Sequence, residues 1–579
     1  MKGTEQGHPL SPDLFKIFLS DLSPLLEFKH CPTLSNLTIS HLLWADDLIL
    51  LSTKKETTQM QLKILQNFCD EWGIEINELK TQAMIFGNNT NTSNLNFNLY
   101  NKPLEIVDSY CYLGIVLHKS GSLVNAQVNL KDKAMRALFG LKRVIMRSKL
   151  SFKALITLFD SLIKPIILYG APLWTPTSSI SKSIIKSISS QNIKNVLSKI
   201  SNSTSEKPHL SFLKWALGVH RKSSNVGIWG ESGRFPLIYQ SFQLTLNYYK
   251  RLCQFPEKSI VSAALKEQKQ LRLPWYKNIE SMLKIDKIYH LDHVSAKRVL
   301  NPNSYFSIRS QDPTSIKLDI SLSKLVKAKP LSSEIFRIPT IISNLTQHFK
   351  DSWTHDKSKS SKLSFYNDHK VEFGQEPYLD LIQSYNSRCS TTKLRISAHD
   401  LQIEVGRHTN APRELRACQW CEISMGEKII ECENHLLFNC DLYASLRSKL
   451  IEQLNKSPSI NLNTTDSLTT LNILPLKLKE CLMKLLSPNT NTSINEIPLD
   501  QYNIHHKLNN NINFKSPTLE QSQIIHRRAF VISCICSFIS HCFDKRKKFI
   551  QDRKSKKSTT KSITFNIFRS QSHLTSLDL

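Results

Sequence analysis

Two clusters in this sequence have the residue types and spacing to do chemistry. The first is Ala45-Asp46-Asp47, a pair of carboxylates flanked by the apolar runs Ile39–Trp44 and Leu48–Leu51. Adjacent acids at a turn between buried strands are costly to hold together unless a cation compensates them. Phosphoryl-transfer enzymes supply Mg²⁺ there: one ion activates the attacking hydroxyl and a second steadies the leaving oxygen. An isolated Asp-Asp is more often an exposed acidic turn, and the flanking apolar runs are what strengthen the catalytic reading. The second cluster opens at Cys418-Gln419-Trp420-Cys421 and closes at His435 and Cys440. C-x2-C closed by H-x4-C offers three thiolates and an imidazole to a tetrahedral ion, and such soft donors select Zn²⁺. Cys432 reads as a spare thiol. Buried free cysteines are the plain alternative, and the spacing favours zinc. Trp420 is equally suited to stacking on a base and to packing against the knuckle.

The elements that must position these residues follow from hydrophobic periodicity. Residues 9–29 read as a helix with Ser11 as N-cap and Pro12 at the first position; Leu14, Phe15, Phe18, Leu19, Leu22, Leu25 and Leu26 form its apolar face. The acidic pair falls at the turn of a hairpin. Leu62, Leu65, Cys69 and Trp72 stripe a second helix that Gly73 can end. Ile74 with Ile76, and Ala83 to Phe86, alternate like strands, giving an α+β unit over about the first hundred residues. After an Asn-rich connector (Asn88 to Asn98), Tyr110–Leu117 reads as a strand leading to a turn at Gly121. The chain then becomes mostly helical. Val124 to Arg147 carries Lys131, Lys133, Arg136, Lys142, Arg143 and Arg147, and a solvated basic face and a phosphate-tracking surface are evenly matched readings of it. His355–Ser364 and Ser487–Pro517 read as linkers, and Lys545–Leu579 as a flexible basic tail. Ala529–Phe543 is apolar but too short to span a bilayer, and reads as a buried helix. No internal repeat is visible.

Composition bounds the function. The chain has 579 residues, enough for several domains, and 76 Lys+Arg against 48 Asp+Glu give a net charge of +28. Such an excess favours a polyanionic partner, nucleic acid first, because each neutralised phosphate releases condensed counterions. A basic soluble protein with no such partner has the same charge. Thirteen cysteines and a start, Met1–Gly7, without an apolar targeting core read as a reduced intracellular protein of the nucleus or cytoplasm, with no membrane role.

The order of motifs resembles one family. Gln6-Gly7-His8-Pro9-Leu10-Ser11-Pro12 is similar to the Gln-Gly turn and Leu-Ser-Pro helix start of the reverse transcriptase palm. The Ala45-Asp46-Asp47 hairpin is similar to that family's catalytic turn, Gly73–Thr81 to its Asn-x-x-Lys-Thr segment, and Tyr112-Leu113-Gly114-Ile115 to its primer-grip strand. Leu168-Tyr169-Gly170 with Trp174 resembles the thumb signature of LINE-type (non-LTR) retroelements, and the cysteine cluster resembles their C-terminal Cys-Cys-His-Cys knuckle. The resemblance implies Asp46 as the main Mg²⁺ ligand and Asp47 as the secondary one. It also implies Gln6, Gly7, Leu113 and Gly114 as substrate-binding, Lys80 near the triphosphate, and Cys418, Cys421, His435 and Cys440 as Zn²⁺ ligands. It implies an RNA template and a DNA primer as partners, with dNTP joining them where a missing N-terminal part completes the site.

The sequence departs from the family in two ways. Trp44 stands where Tyr or Phe is usual, which keeps an aromatic platform. The family's third metal-binding Asp and its fingers precede the Gln-Gly segment, and Met1 lies five residues before Gln6. The expectation is therefore a partial α+β palm over 1–122 and a helical thumb over 123–260. A helical connector over 261–410, a knuckle over 411–445, a helical region over 446–543 and a loose cationic end over 544–579 follow. The expected function is an RNA-directed DNA polymerase fragment that holds Mg²⁺ weakly and is inactive alone. The alternatives are a non-catalytic nucleic-acid-binding protein from a degenerate or domesticated element, and a translation of a decayed insertion. No role is assigned to Phe212–Val219 or Glu231–Leu237, and His209, His220, His505 and His506 read as ordinary residues.

Overall fold

The computed structural model describes residues 8–87, 95–146, 149–285, 337–455 and 519–572. Gln6, Gly7, Arg147, His505, His506, most of the first Asn-rich connector and all of Ser487–Pro517 lie outside the described residues. The fold is mostly helical with small two-stranded sheets: four antiparallel ladders and one parallel pair, Gln82–Ala83 with Glu105–Ile106, among the described residues. No helix among them is long and apolar enough to cross a membrane.

The chain divides into two compact units, each assembled from separated stretches. The first comprises Met1–Met135, Pro165–Glu206 and Leu237–Phe349. Its early part is organised by the helix Lys55–Trp72, which ends at Gly73 in the left-handed region (φ 67) with the Gly73 N–H bonded to the Cys69 carbonyl. Glycine is favoured there because it has no Cβ to clash. Phe68 packs with Leu19, Leu22, Leu26, Leu48 and Leu50, while Leu62 packs with Phe97, Leu99, Leu50 and Ile76.

Several expected elements differ in this unit. The 9–29 helix breaks into Ser11–Phe18 and Leu22–Leu25, with Leu10 and not Ser11 at the N-cap. The apolar positions are too dense for one stripe, and the break lets Leu19, Leu22 and Leu26 reach one core while Leu14 and Ile17 stay exposed. Ile74 and Ile76 alternate but pair with no strand; they are half-buried plugs on the two clusters. The Ala83–Phe86 strand shrinks to Gln82–Ala83. Tyr110–Leu117 is not one strand: Leu113 and Gly114, at φ 47 and 81, fold it into the hairpin Ser109–Tyr112/Ile115–His118. Two consecutive positive φ values make a two-residue turn whose twist matches the strands.

The second unit comprises Arg136–Lys164, Lys207–Pro236 and Lys350–Leu579. The helix Leu519–Ser572 runs through the expected buried segment, and Val531, Cys534, Ile535, Cys536, Phe538, Ile539 and Cys542 are buried. The same helix continues to Ser572, so residues 545–572 are helical rather than a loose tail, and 573–579 lie outside the described residues. Arg546 explains part of this, since its buried guanidinium is bound by Glu431 and could not leave without stranding a carboxylate. His355–Ser364 is likewise no linker. It completes the helix Ile338–Lys359 and a short 3₁₀ turn. Lys357 is buried, lying 4.8 Å over the Trp353 ring and donating to the Lys370 carbonyl, and Leu363 is fully buried.

The segments without an assigned role form the core of this unit. Glu231 accepts from Arg395 at 3.0 Å and from the Tyr378 hydroxyl at 2.6 Å, while Glu376 binds Arg395 at 3.0 Å and Lys370 at 2.5 Å. All four charged groups are buried. A Cβ on Gly233 would lie 2.2 Å from the Gln375 nitrogen, so glycine permits this crossing.

Candidate active site and metal centre

The acidic pair sits at the tip of the hairpin His41–Trp44/Asp47–Leu50, with Trp44 opposite Asp47 and Ala45-Asp46 as the two-residue loop. Ala45 has φ 53, a conformation that side-chain-bearing residues rarely adopt. Asp46, Asp47 and Trp44 are exposed, while Leu48, Ile49 and Leu50 are half-buried. Behind the hairpin, Gln61 is fully buried. Its amide nitrogen reaches the Ser40 carbonyl at 3.2 Å and the Leu26 carbonyl at 3.4 Å, tying the helix Lys55–Trp72 to the backbone entering the hairpin. The sequence reading missed Gln61, because a polar residue beside an apolar stripe carries no local mark of burial.

Lys80 lies on an Asn-initiated turn. Its backbone N–H is bonded to the Asn77 carbonyl at 3.1 Å and to Asn77 Oδ1 at 3.2 Å, and Thr81 Oγ1 donates to the Asn77 carbonyl at 2.9 Å. Short polar side chains stabilise such turns by bonding nearby backbone, so Asn and Thr hold the loop while the lysine stays exposed. Ile76, just before this turn, and Leu50, at the end of the acidic hairpin, join one apolar cluster.

The Leu113–Gly114 turn is held from outside its hairpin. The Tyr169 hydroxyl donates to the Leu113 carbonyl at 2.7 Å, and the Trp174 indole donates to the Tyr169 carbonyl at 3.0 Å. Tyr112, preceding the turn, has its phenol pushed up first by burial and then by the Asp47 carboxylate. On the basic helix Val124–Val144, Lys142 donates to the Ser211 carbonyl at 3.3 Å and lies 5.7 Å over the Trp215 ring, so this lysine is a packing tether. Arg136 and Arg143 remain exposed.

The cysteine cluster closes into one group. Cys418, Cys421, His435 and Cys440 are all buried, and their donor atoms lie within 4.8 Å of one another. The Cys418 N–H bonds the Ile429 carbonyl at 2.7 Å, which brings the C-x2-C turn onto the strand-like segment before His435. His435 begins and Cys440 caps a single five-residue helical turn, which returns both side chains to one side. Cys418 Sγ to Cys440 Sγ is 3.9 Å, Cys421 Sγ to Cys440 Sγ 3.8 Å, and Cys421 Sγ to His435 Nε2 3.3 Å. A tetrahedral zinc ion, with Zn–S of about 2.3 Å and Zn–N of about 2.0 Å, requires S···S edges of about 3.8 Å and S···N edges of about 3.5 Å. The four donors fit such an ion. Hydrogen bonding from Cys440 pulls the Cys418 thiol down to about 3, while burial and the Cys418 charge push Cys421 up to about 11. Cys418, Cys421, His435 and Cys440 would hold a central cation, whose charge would offset that mutual repulsion and let all three thiols ionise. Cys432 is half-buried and outside the group.

Trp420 packs edge-on against Phe549 of the long C-terminal helix, with ring centroids 5.3 Å apart. Arg546 grips Glu431 through two bonds of 2.7 and 2.8 Å, and Arg553 bonds Gln419 at 2.9 Å. Of the two roles open to Trp420, packing is the one its ring performs in this structure.

Residues 1–117 match the family described as reverse transcriptase (RNA-dependent DNA polymerase). A transposon-derived protein of Caenorhabditis elegans is 27% identical over 156 residues, covering 25% of this chain and 52% of that protein. The RNA-directed DNA polymerase from mobile element jockey of Drosophila melanogaster is 26% identical over 185 residues, covering 30% of this chain and 19% of that protein. The chain therefore spans about half the length of the first relative and about a fifth of the second. With these matches joined to the motif order, the chain is identified as a relative of LINE-type (non-LTR) retroelement reverse transcriptases.

Proposed function

We propose that the chain serves RNA-templated DNA synthesis. In this reading Asp46 and Asp47 hold Mg²⁺, Lys80 offsets charge on the departing pyrophosphate, and Leu113-Gly114 contacts the primer. Gln6 and Gly7 face the template and the incoming dNTP. Residues 1–122 act as palm and 123–260 as thumb. The observation that carries the reading is the paired carboxylate, Asp46 and Asp47, exposed at the tip of the hairpin His41–Trp44/Asp47–Leu50. Mg²⁺ held by one or two carboxylates keeps most of its water and binds weakly. The test is Mn²⁺ binding followed by paramagnetic resonance: Asp46→Asn should abolish it and Asp47→Asn should weaken it. Unchanged binding in both variants refutes the assignment.

A second reading, a non-catalytic nucleic-acid-binding role, draws on the knuckle and on the net charge of +28. In that case Zn²⁺ is held by Cys418, Cys421, His435 and Cys440. RNA affinity should fall steeply with salt and drop on Cys421→Ser. Affinity that is flat across salt concentrations excludes phosphate contacts as its source.

A further inference from the structure

The thumb-like Leu168-Tyr169-Gly170 segment does something its sequence does not announce. Three contacts converge on Tyr169. The Trp174 indole, on a ring only 2% exposed, holds the Tyr169 carbonyl at 3.0 Å. The ring covers Gly114 so closely that a Cβ there would lie 3.2 Å from Tyr169 Cε1. The hydroxyl bonds the Leu113 carbonyl at 2.7 Å. Gly170 permits the approach, since a Cβ on it would lie 2.7 Å from Ile115 Cδ1. Glycine at 114 thus leaves room for the Tyr169 ring, and glycine at 170 for the Ile115 side chain.

A tyrosine that only filled a core would bury its ring. Tyr169 is 49% exposed, and its hydroxyl is committed to a backbone carbonyl at the outer end of a hairpin turn. The turn itself has two residues at positive φ and presents Leu113, 36% exposed, to solvent. The Tyr169 hydroxyl supplies this turn with a bond from outside its own two strands.

We infer that Tyr169 is a positioning residue for the Leu113–Gly114 turn: its hydroxyl fixes the turn that the proposed function gives to the primer end. The inference rests on the polymerase reading for its functional meaning, and its test separates the two. Tyr169→Phe keeps the ring over Gly114 and removes only the hydroxyl. The probes are a DNA primer with a recessed 3′ end on an RNA template, and the same RNA single-stranded. Tyr169→Phe should bind the recessed hybrid about fivefold more weakly, the worth of one neutral hydrogen bond. Its affinity for the single-stranded RNA should be unchanged. In parallel, amide exchange at Gly114 and Ile115 should rise in Tyr169→Phe. A hybrid affinity and a turn exchange rate both identical to wild type overturn the inference. If the wild-type chain does not prefer the recessed hybrid over RNA, the polymerase reading fails; amide exchange at the turn then decides the positioning role alone.

Discussion

Arg395 carries more of the second unit's stability than any local pattern suggests. It is 1% exposed, between Glu231 and Glu376, with Lys370 balancing the second carboxylate and Tyr378 hydrogen-bonded to the first. Burial pushes Glu231 up, and the Arg395 guanidinium opposes that shift. Replacing one partner of a buried pair strands the remaining charge, which is far costlier than never having buried either. Arg395→Met is therefore expected to cost about 3–5 kcal/mol, read as a lower urea midpoint. An unchanged midpoint would mean water reaches these carboxylates. Ala45 poses the opposite case, a small residue in a strained conformation. Its φ of 53 is tolerated because only a methyl must be accommodated, and a β-branched residue there would be a severe outlier. Ala45→Val should destabilise the hairpin by more than about 1 kcal/mol, detectable as faster amide exchange across His41–Leu50 with exchange in Lys55–Trp72 unchanged.

At the scale of elements, the knuckle and the C-terminal helix pack into one apolar cluster. Cys418, Cys421 and Cys440 share an apolar cluster with Val531, Cys534, Ile535, Phe538, Ile539 and Cys542. The Arg546–Glu431 and Arg553–Gln419 bonds extend the contact to the C-x2-C turn and the segment before His435. Ligands that bind only the folded form stabilise whatever folds with the site. Chelating zinc, or Cys421→Ser, should raise amide exchange in Val531–Arg553 as well as in the knuckle. Exchange confined to Cys418–Cys440 would show the helix to be docked independently of metal.

At the scale of the whole molecule, stability should be sensitive to mild acid in both units. His348 in the first and His369 in the second are buried, and burial pushes each down to about 4. The unfolded chain binds protons at these sites below its ordinary value of about 6.5, whereas the folded chain does not until about pH 4. Stability thus rises with pH through that window and is lost as pH falls through it. Each histidine accounts for about 3 kcal/mol when the window is fully crossed. His369→Gln should flatten the loss between about pH 6.5 and 4 for the second unit, followed by urea denaturation at stepped pH. An unchanged slope would assign the acid sensitivity elsewhere.

Where a few neighbouring residues decide the outcome, the sequence sufficed. The acidic pair at a hairpin turn, the Gly73 helix end, the Cys-Cys-His-Cys donor set and the buried helix over Ala529–Phe543 all follow from spacing and backbone preference. The Tyr110–Leu117 hairpin is not legible in the sequence, because a left-handed Leu113 is not a turn signal in itself. Only the tertiary structure decided which charges are buried and which polar groups meet. Tyr169 bonds a carbonyl 56 positions away, Arg546 a carboxylate 115 positions away, and Arg395 one 164 positions away. A lysine or arginine in a Ser/Lys-rich stretch looks alike in sequence whether it is solvated or enclosed. Its fate depends on the partner that long-range packing brings to it, and local propensity carries no record of that partner.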